Sequence, residues 1–324
     1  MKARTLLSVL LWSLFAADAL AQAPAVEHIQ QRRLDVPAGQ YSGITHVGED
    51  VYAVVHDKAS GGGLHFFTIH FLEDGSIGSV TAFESDAGGK TGRDNEDVVY
   101  VPETKTLFVA AESDQSIREY KLDGRATGRK LSIPAELRKT QPNLGFEALA
   151  YSEGLFWTTT EAPLPAEKRP RMHLLQSFRL KDLKAGKHYW YQAEEPTVTE
   201  AETRSAQAYV SGISALTVLP SGRLVVLERE VYVPGGSIWD MMQAFTLTRL
   251  YLVDPLRDKA QVLEKTLLTS FYTSFLNLAN FEGMCLGPVL PDGRQTLLLL
   301  ADSQDGRGGL VGEYIRVLAL DDNP

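Results

Sequence analysis

Carboxylates recur at the ends of short apolar runs in this chain, and their spacing is its first chemical signal. In Asn280–Asp302, Glu282 precedes an apolar run, Pro291-Asp292-Gly293 turns the chain, and Leu297–Ala301 closes on Asp302. Such a pattern predicts a β-hairpin with one acid at the start of a strand and another at the end of its partner, so both sit at the same end. Glu96 and Glu147 open comparable runs, and Asp57, Glu112, Glu161 and Glu228 close them. Carboxylates gathered at one place cannot all ionise without compensation from basic neighbours, raised pKa values or a cation. Lys58, Arg93 and Arg229 are placed to be the basic neighbours. An oxygen-only donor set without clustered Cys or His favours Ca²⁺, or Mg²⁺, over zinc. Glu96, Glu147, Glu282, Asp302, Glu112 and Glu161 are therefore the candidate metal ligands. Arg229, Arg93, Glu228, Asp57 and Lys58 are the candidate substrate contacts, the two arginines as bidentate clamps on phosphate oxygens. No catalytic residue is assigned. The competing role for the leading glutamates is to accept backbone N–H bonds and fasten neighbouring sheets, and for the strand-end acids to form a solvated rim.

The elements that would position these acids repeat five times. The hairpins begin at Ser42-Gly43-Ile44, Glu96-Asp97-Val98, Glu147-Ala148-Leu149, Ser211-Gly212-Ile213 and Glu282. Leader-to-turn spacing is six positions in the first three and nine in the last two. Two further strand candidates follow each of the first four hairpins: His65–Phe71 and Ser79–Phe83, Ser116–Leu122 and Lys130–Ile133, His173–Leu180 and His188–Gln192, Thr248–Val253 and Gln261–Leu267. After the fifth only Gly312–Leu320 remains, and the N-terminal stretch His28–Val36 can supply the missing outer strand. Four strands per unit, with the last unit shared by the two chain ends, describe an all-β fold: a single β-propeller of five four-stranded blades. Six blades would require a degenerate unit in the long fourth repeat. Glu96, Glu147 and Glu282 then converge at the mouth of the central channel.

Ala162–Met172 and Glu194–Tyr209 read as loops, and Ser237 is placed to N-cap a short helix whose apolar residues Ile238, Met241 and Met242 would pack on a blade. Other catalytic patterns fail. Gly212-Ile213-Ser214-Ala215-Leu216 lacks the second glycine of a nucleophile elbow, no His pair has zinc spacing, and no glycine-rich loop ends in Lys-Ser/Thr. His56, beside Asp57, could act as a base but reads more simply as a structural histidine. Cys285, the single cysteine, excludes an internal disulfide and reads as a small buried hydrophobe. Lys2 and Arg4, the apolar run Leu6–Ala17 and Ala19-Leu20-Ala21 predict a secretory signal peptide over 1–21, cut after Ala21. Residues 22–324 would form one exported domain, periplasmic or secreted, monomeric and without a membrane anchor. The net charge of −9 for the whole chain, one unit more negative without Lys2, Arg4 and Asp18, disfavours nucleic acid and anionic membrane as partners.

Asn143-Leu144-Gly145-Phe146-Glu147-Ala148-Leu149-Ala150, Leu224-Val225-Val226-Leu227-Glu228-Arg229 and Asn280-Phe281-Glu282-Gly283-Met284 through Leu297–Asp302 closely resemble the phytase-like domain family, also described as the "esterase-like activity of phytase" family. The motifs match in order across about residues 40–305, although Asn95-Glu96-Asp97 departs from the Asp-Pro-Glu-Gly form expected at the second unit. The resemblance implies an exported bacterial propeller and, by analogy with calcium-dependent β-propeller phytases, a Ca²⁺-dependent phosphoesterase or esterase acting on a small phosphorylated or ester substrate. Two alternatives stand beside it: a non-catalytic propeller that binds a ligand or protein, and a metal-dependent lactonase.

Overall fold

The computed structural model describes residues 24–37, 39–56, 63–84, 94–141, 144–302 and 312–322. The expected signal peptide, and Asp57, Lys58 and Arg93, lie outside the described residues. No helix among those described is long and apolar enough to cross a membrane.

Period-two apolar patterning produces strands in five antiparallel sheets of four. From the axis outward the first blade is β2 (Tyr41–Gly48), β3 (Val51–His56), β4 (Gly63–Phe71) and β5 (Ile77–Glu84). The second is β6 (Asn95–Val101), β7 (Thr106–Ala111), β8 (Ser116–Lys121) and β9 (Ala126–Lys130). The third is β10 (Phe146–Ser152), β11 (Leu155–Thr160), β12 (Met172–Arg179) and β13 (Ala185–Gln192). The fourth, after the short helix α1 (Glu200–Ser205), is β14 (Ala208–Val218), β15 (Leu224–Val233), β16 (Phe245–Val253) and β17 (Lys265–Ser274), with α2 (Ile238–Gln243) between β15 and β16. The fifth is β18 (Asn280–Val289), β19 (Gln295–Asp302), β20 (Tyr314–Leu320) and, outermost, β1 (Val26–Arg33) from the other chain end. The inner strands touch in the order β2, β6, β10, β14, β18 and back to β2, which closes the ring. This is the five-bladed propeller expected from the repeat.

Both faces of a blade are covered, so alternate residues of one strand feed different cores. Leu224 and Val226 of β15 enter the apolar cluster shared with the third blade, whereas Val225 and Leu227 enter the one shared with the fifth. Five such clusters fill the five junctions between neighbouring blades.

Two outer strands differ from expectation. Ser132, expected in the fourth strand of its blade, instead bridges to Lys184 of the next blade, and β9 ends at Lys130. Gln261–Leu263 behaves alike: Trp190 N–H donates to the Gln261 carbonyl at 2.7 Å and Leu263 N–H to the Trp190 carbonyl at 2.8 Å. These segments staple adjacent blades, so the strand itself forms elsewhere. The helix at Ser237 is present, with a reciprocal capping box between Ser237 and Asp240. Its expected apolar face packs only in part: Met241 is half-buried where α2 meets β15, whereas Ile238 and Met242 are exposed, as is Trp239. Cys285 is buried as expected, and burial pushes its thiol pKa up.

Candidate functional site: the acid mouth of the channel

Each innermost strand carries a β-bulge, near its start in four and past mid-strand in β14, and the bulge fixes which residues reach the axis. The register breaks fall at Ser42-Gly43, Glu96, Glu147, Ser214 and Glu282. The structural repeat therefore reads Tyr41-Ser42-Gly43-Ile44, Asn95-Glu96-Asp97-Val98, Phe146-Glu147-Ala148-Leu149, Ile213-Ser214-Ala215-Leu216 and Phe281-Glu282-Gly283-Met284. Ser214, not Ser211, is the fourth-blade equivalent of the glutamates. On this register the leader-to-turn distance in the fourth unit is six positions, as in the first three. The fifth is longer because β18 carries a second irregularity between Leu286 and Val289.

The same register moves the fourth strand-end position by one. Tyr41, Asn95, Phe146, Ile213 and Phe281 lie opposite His56, Ala111, Thr160, Glu228 and Ala301. The next residues, Glu112, Glu161, Arg229 and Asp302 in the described blades, complete the mouth. Arg229 takes the place that an acid fills elsewhere. Glu228 is on the opposite face of β15, between the third and fourth blades, where it accepts from Tyr191 Oη at 2.6 Å, Glu194 N–H at 3.0 Å and Lys265 Nζ at 3.0 Å. Period-two alternation accounts for the difference.

Arg229 is buried in the middle of the acids. Its Nη2 donates to Glu161 Oε1 at 2.6 Å and to Glu147 Oε1 at 3.3 Å. Its Nη1 donates to Asn280 Oδ1 at 3.0 Å and to the Glu282 carboxylate. Asn280 in turn donates to Glu282 at 2.8 Å. One guanidinium thus ties the third, fourth and fifth blades together. Burial opposes its charge, but Glu161, Glu147 and Asp302 outweigh that and hold its pKa above the ordinary value. For Glu147 the balance goes the other way: burial and the neighbouring Glu161 and Glu96 raise its pKa well above the carboxylate range despite Arg229.

The second blade organises a different group. Asp94, Glu96 and Glu112 each present a carboxylate oxygen, and the three lie within 4.8 Å of one another. The Glu112 backbone N–H donates to the Asp94 carbonyl at 2.9 Å, and a Glu112 carboxylate oxygen accepts from Gly145 N–H. Asp94 Oδ1 is buried and has no hydrogen-bond partner among the described residues. Three converging carboxylates, one of which carries an orphaned oxygen, fit Ca²⁺ or Mg²⁺. Of the six expected metal ligands, Glu96 and Glu112 fall in this group, Glu147, Glu161 and Glu282 surround Arg229, and Asp302 pairs in register with Asn280. Asp94 was not singled out from sequence, although the run Asp94-Asn95-Glu96-Asp97 is dense in acids. Asp97 points away from this mouth: it is buried between blades and accepts from Leu149 N–H at 2.6 Å and Val98 N–H at 2.8 Å.

His56 is buried, its ring 4.0 Å from that of His65 and edge-on to Tyr41. Burial, reinforced by His65, pushes its pKa down to about 4, so it is neutral at neutral pH.

No curated protein matches the sequence. Among solved structures, the chain is similar to the α-L-arabinofuranosidase PaAbf62A from Podospora anserina at 11% identity and a TM-score of 0.46, covering 93% of this chain and 97% of that one. It is also similar to the periplasmic gluconolactonase PpgL of Pseudomonas aeruginosa at 17% identity and a TM-score of 0.36, covering 84% and 69%. A family model, "Phytase-like: Esterase-like activity of phytase", matches residues 36–304. That match spans all five bulged hairpins and both halves of the acid mouth, and the chain belongs to the phytase-like family.

Proposed function

We propose that this protein is an exported hydrolase of small ester or phosphoester substrates, working at the acid mouth with a divalent cation held by Asp94, Glu96 and Glu112. The observation that carries this reading is the orphaned, buried Asp94 Oδ1 within a three-carboxylate group. Calcium bound there would supply Lewis-acid polarisation of an ester or phosphoryl oxygen. The chain's own residues divide the remaining work. Arg229 neutralises Glu161 and Glu282, so the excess negative charge is concentrated on the second-blade side, where a cation is needed. Its bonds to those acids make it a structural counter-charge rather than a free phosphate clamp. Glu147, whose charge is opposed by burial and by the neighbouring Glu161 and Glu96, is the carboxyl placed to give a proton to a leaving oxygen. The exported location follows from the leader-like segment at 1–21.

The same geometry supports a second reading, in which the propeller binds a ligand without turnover. Glu147, Glu161 and Glu282 all hold Arg229 across three blades, which is a fastening role. One experiment separates the two. Mature protein stripped with chelator is titrated with CaCl₂ and MgCl₂ by calorimetry, then assayed on phytate, aryl phosphates, aryl esters and lactones. Stoichiometric binding that Glu96→Gln weakens at least tenfold, with cation-dependent turnover of one substrate class, is the expected result. Cation binding without turnover favours the second reading, and absence of both removes the metal site.

A further inference from the structure

The channel has another end. The five inner strands run from the acid mouth to their hairpin turns, and there they enclose a cavity of about 540 Å³. All five inner strands contribute to its lining, where Thr45, Val47, Tyr100, Tyr151 and Leu286 keep partly accessible side chains while Ile44, Val99, Leu149, Leu216 and Met284 are buried in the blade junctions. None of the carboxylates of the acid mouth lines it. Glu147 and Tyr151 are four residues apart on β10, so the two ends are separated by roughly 13 Å along the strand.

The rim of this cavity is aromatic and acidic. Tyr100, Tyr151, Glu103 and Glu153 line it, together with His46, and among the described residues no Lys or Arg does. Tyr151 is held in place: its hydroxyl donates to Glu103 at 2.7 Å and accepts from Gly154 N–H at 3.0 Å. His46 is anchored to the Glu49 carbonyl at 2.7 Å, and its ring lies 4.9 Å from Tyr52. Glu103 and Glu153 are exposed.

We infer that this turn-side cavity is a second binding site, for a small molecule with an aromatic or alkyl body and a cationic ammonium head. The volume falls within the range of about 300–1,000 Å³ that small-molecule sites occupy. Val47, Leu286 and the rings of Tyr100 and Tyr151 remove part of the body from water. The head is met by two carboxylates and by tyrosine rings whose faces attract cations. An anionic ligand of the same size finds two like charges and no basic side chain among the described residues of the lining, so the site discriminates by charge. It is independent of any hydrolysis at the acid mouth.

Benzyltrimethylammonium and benzenesulfonate, similar in size and opposite in charge, are the probes. Each is titrated into the mature protein by calorimetry and by saturation-transfer NMR. Saturable binding of the ammonium alone is expected. The Glu103→Gln/Glu153→Gln double variant weakens it at least fivefold without moving the thermal midpoint, because both side chains are exposed. Tyr100→Leu, which keeps apolar bulk, also weakens it. Glu96→Gln, at the other mouth, leaves it unchanged. The inference is overturned if the ammonium does not saturate, if the sulfonate binds equally well, if the double variant binds normally, or if Glu96→Gln abolishes binding.

Discussion

A guanidinium buried among carboxylates is tolerable only while the charges around it balance. Removing Arg229 leaves the buried carboxyl groups of Glu161 and Glu282 without their partner, so Arg229→Met should cost about 3–5 kcal/mol in urea unfolding at pH 7. Glu147→Gln should cost less than Arg229→Met, because burial and the neighbouring acids already disfavour the Glu147 charge and glutamine keeps an oxygen that accepts from Arg229. A loss as large as that of Arg229→Met in urea unfolding would sink this expectation. His173 supplies a pH test elsewhere. It is buried, and that burial, against its contact with the Thr160 carbonyl at 3.2 Å, pushes its pKa down to about 4. Between about pH 4 and 6.5 the unfolded chain binds the proton more readily, so stability falls as the pH is lowered through that window. At about 1.4 kcal/mol per pKa unit, His173 contributes on the order of 3 kcal/mol to that fall, and His173→Gln should flatten the urea midpoint between pH 7 and 4 by a matching amount. Residue identities of this kind were partly legible. Acid at strand starts and strand ends is visible in the sequence, but Glu228 and Arg229 are adjacent, and only the strand register decides which faces the axis. Asp94 escaped because it precedes the strand and belongs to no repeated position.

The inner strands come so close together that side chains are excluded at particular points. A Cβ on Gly212 would lie 2.2 Å from the Glu161 backbone carbonyl oxygen, and one on Gly283 2.6 Å from that of Ser42. Neither obstacle is the movable tip of a side chain. Gly212→Ala should therefore push the fourth blade off the third, lower stability by more than about 2 kcal/mol and disturb the Arg229–Glu161 bond. Ser237→Ala, which removes only a helix cap on exposed α2, should cost about 1 kcal/mol or less. If the two variants unfold at the same urea concentration, close strand approach is not what holds this junction. The same glycines show why the fourth unit is misleading in sequence. Ser211-Gly212-Ile213 imitates Ser42-Gly43-Ile44 letter for letter, whereas the bulge lies three residues later at Ser214. Bulges break the two-residue rhythm from which register is read, so hairpins are legible and their alignment is not. Outer strands fail for a related reason: Gln261–Leu263 has strand-like residues but spends its backbone bonds on the neighbouring blade.

A propeller has no central core to fall back on, so its stability is distributed over junctions that depend on closure of the ring. Five apolar clusters sit between five blades, and each blade needs both neighbours. Blade number and closure by the two chain ends were legible, since both follow from counting hairpins and strands left over. How firmly the closing strand is held was not, because β1 is mostly polar and only Val26 and Ile29 are aliphatic. Its hold on the molecule is largely the antiparallel ladder from Val26–Leu320 to Arg33–Tyr314, assisted by Arg316 donating to Gln31 and by His28 and Thr269 at 2.9 Å across to the fourth blade. Deleting residues 24–33 removes little apolar area but leaves β20 as a bare edge whose N–H and C=O groups template pairing with another chain. The shortened protein should associate on size exclusion and lose its single cooperative thermal transition. A synthetic peptide of residues 24–35 added in excess should restore both, since it supplies the missing ladder. A truncated chain that stays monomeric with an unchanged midpoint would show that the ring is closed by the side-chain clusters of β18–β20 alone, and that β1 merely covers an edge already secure.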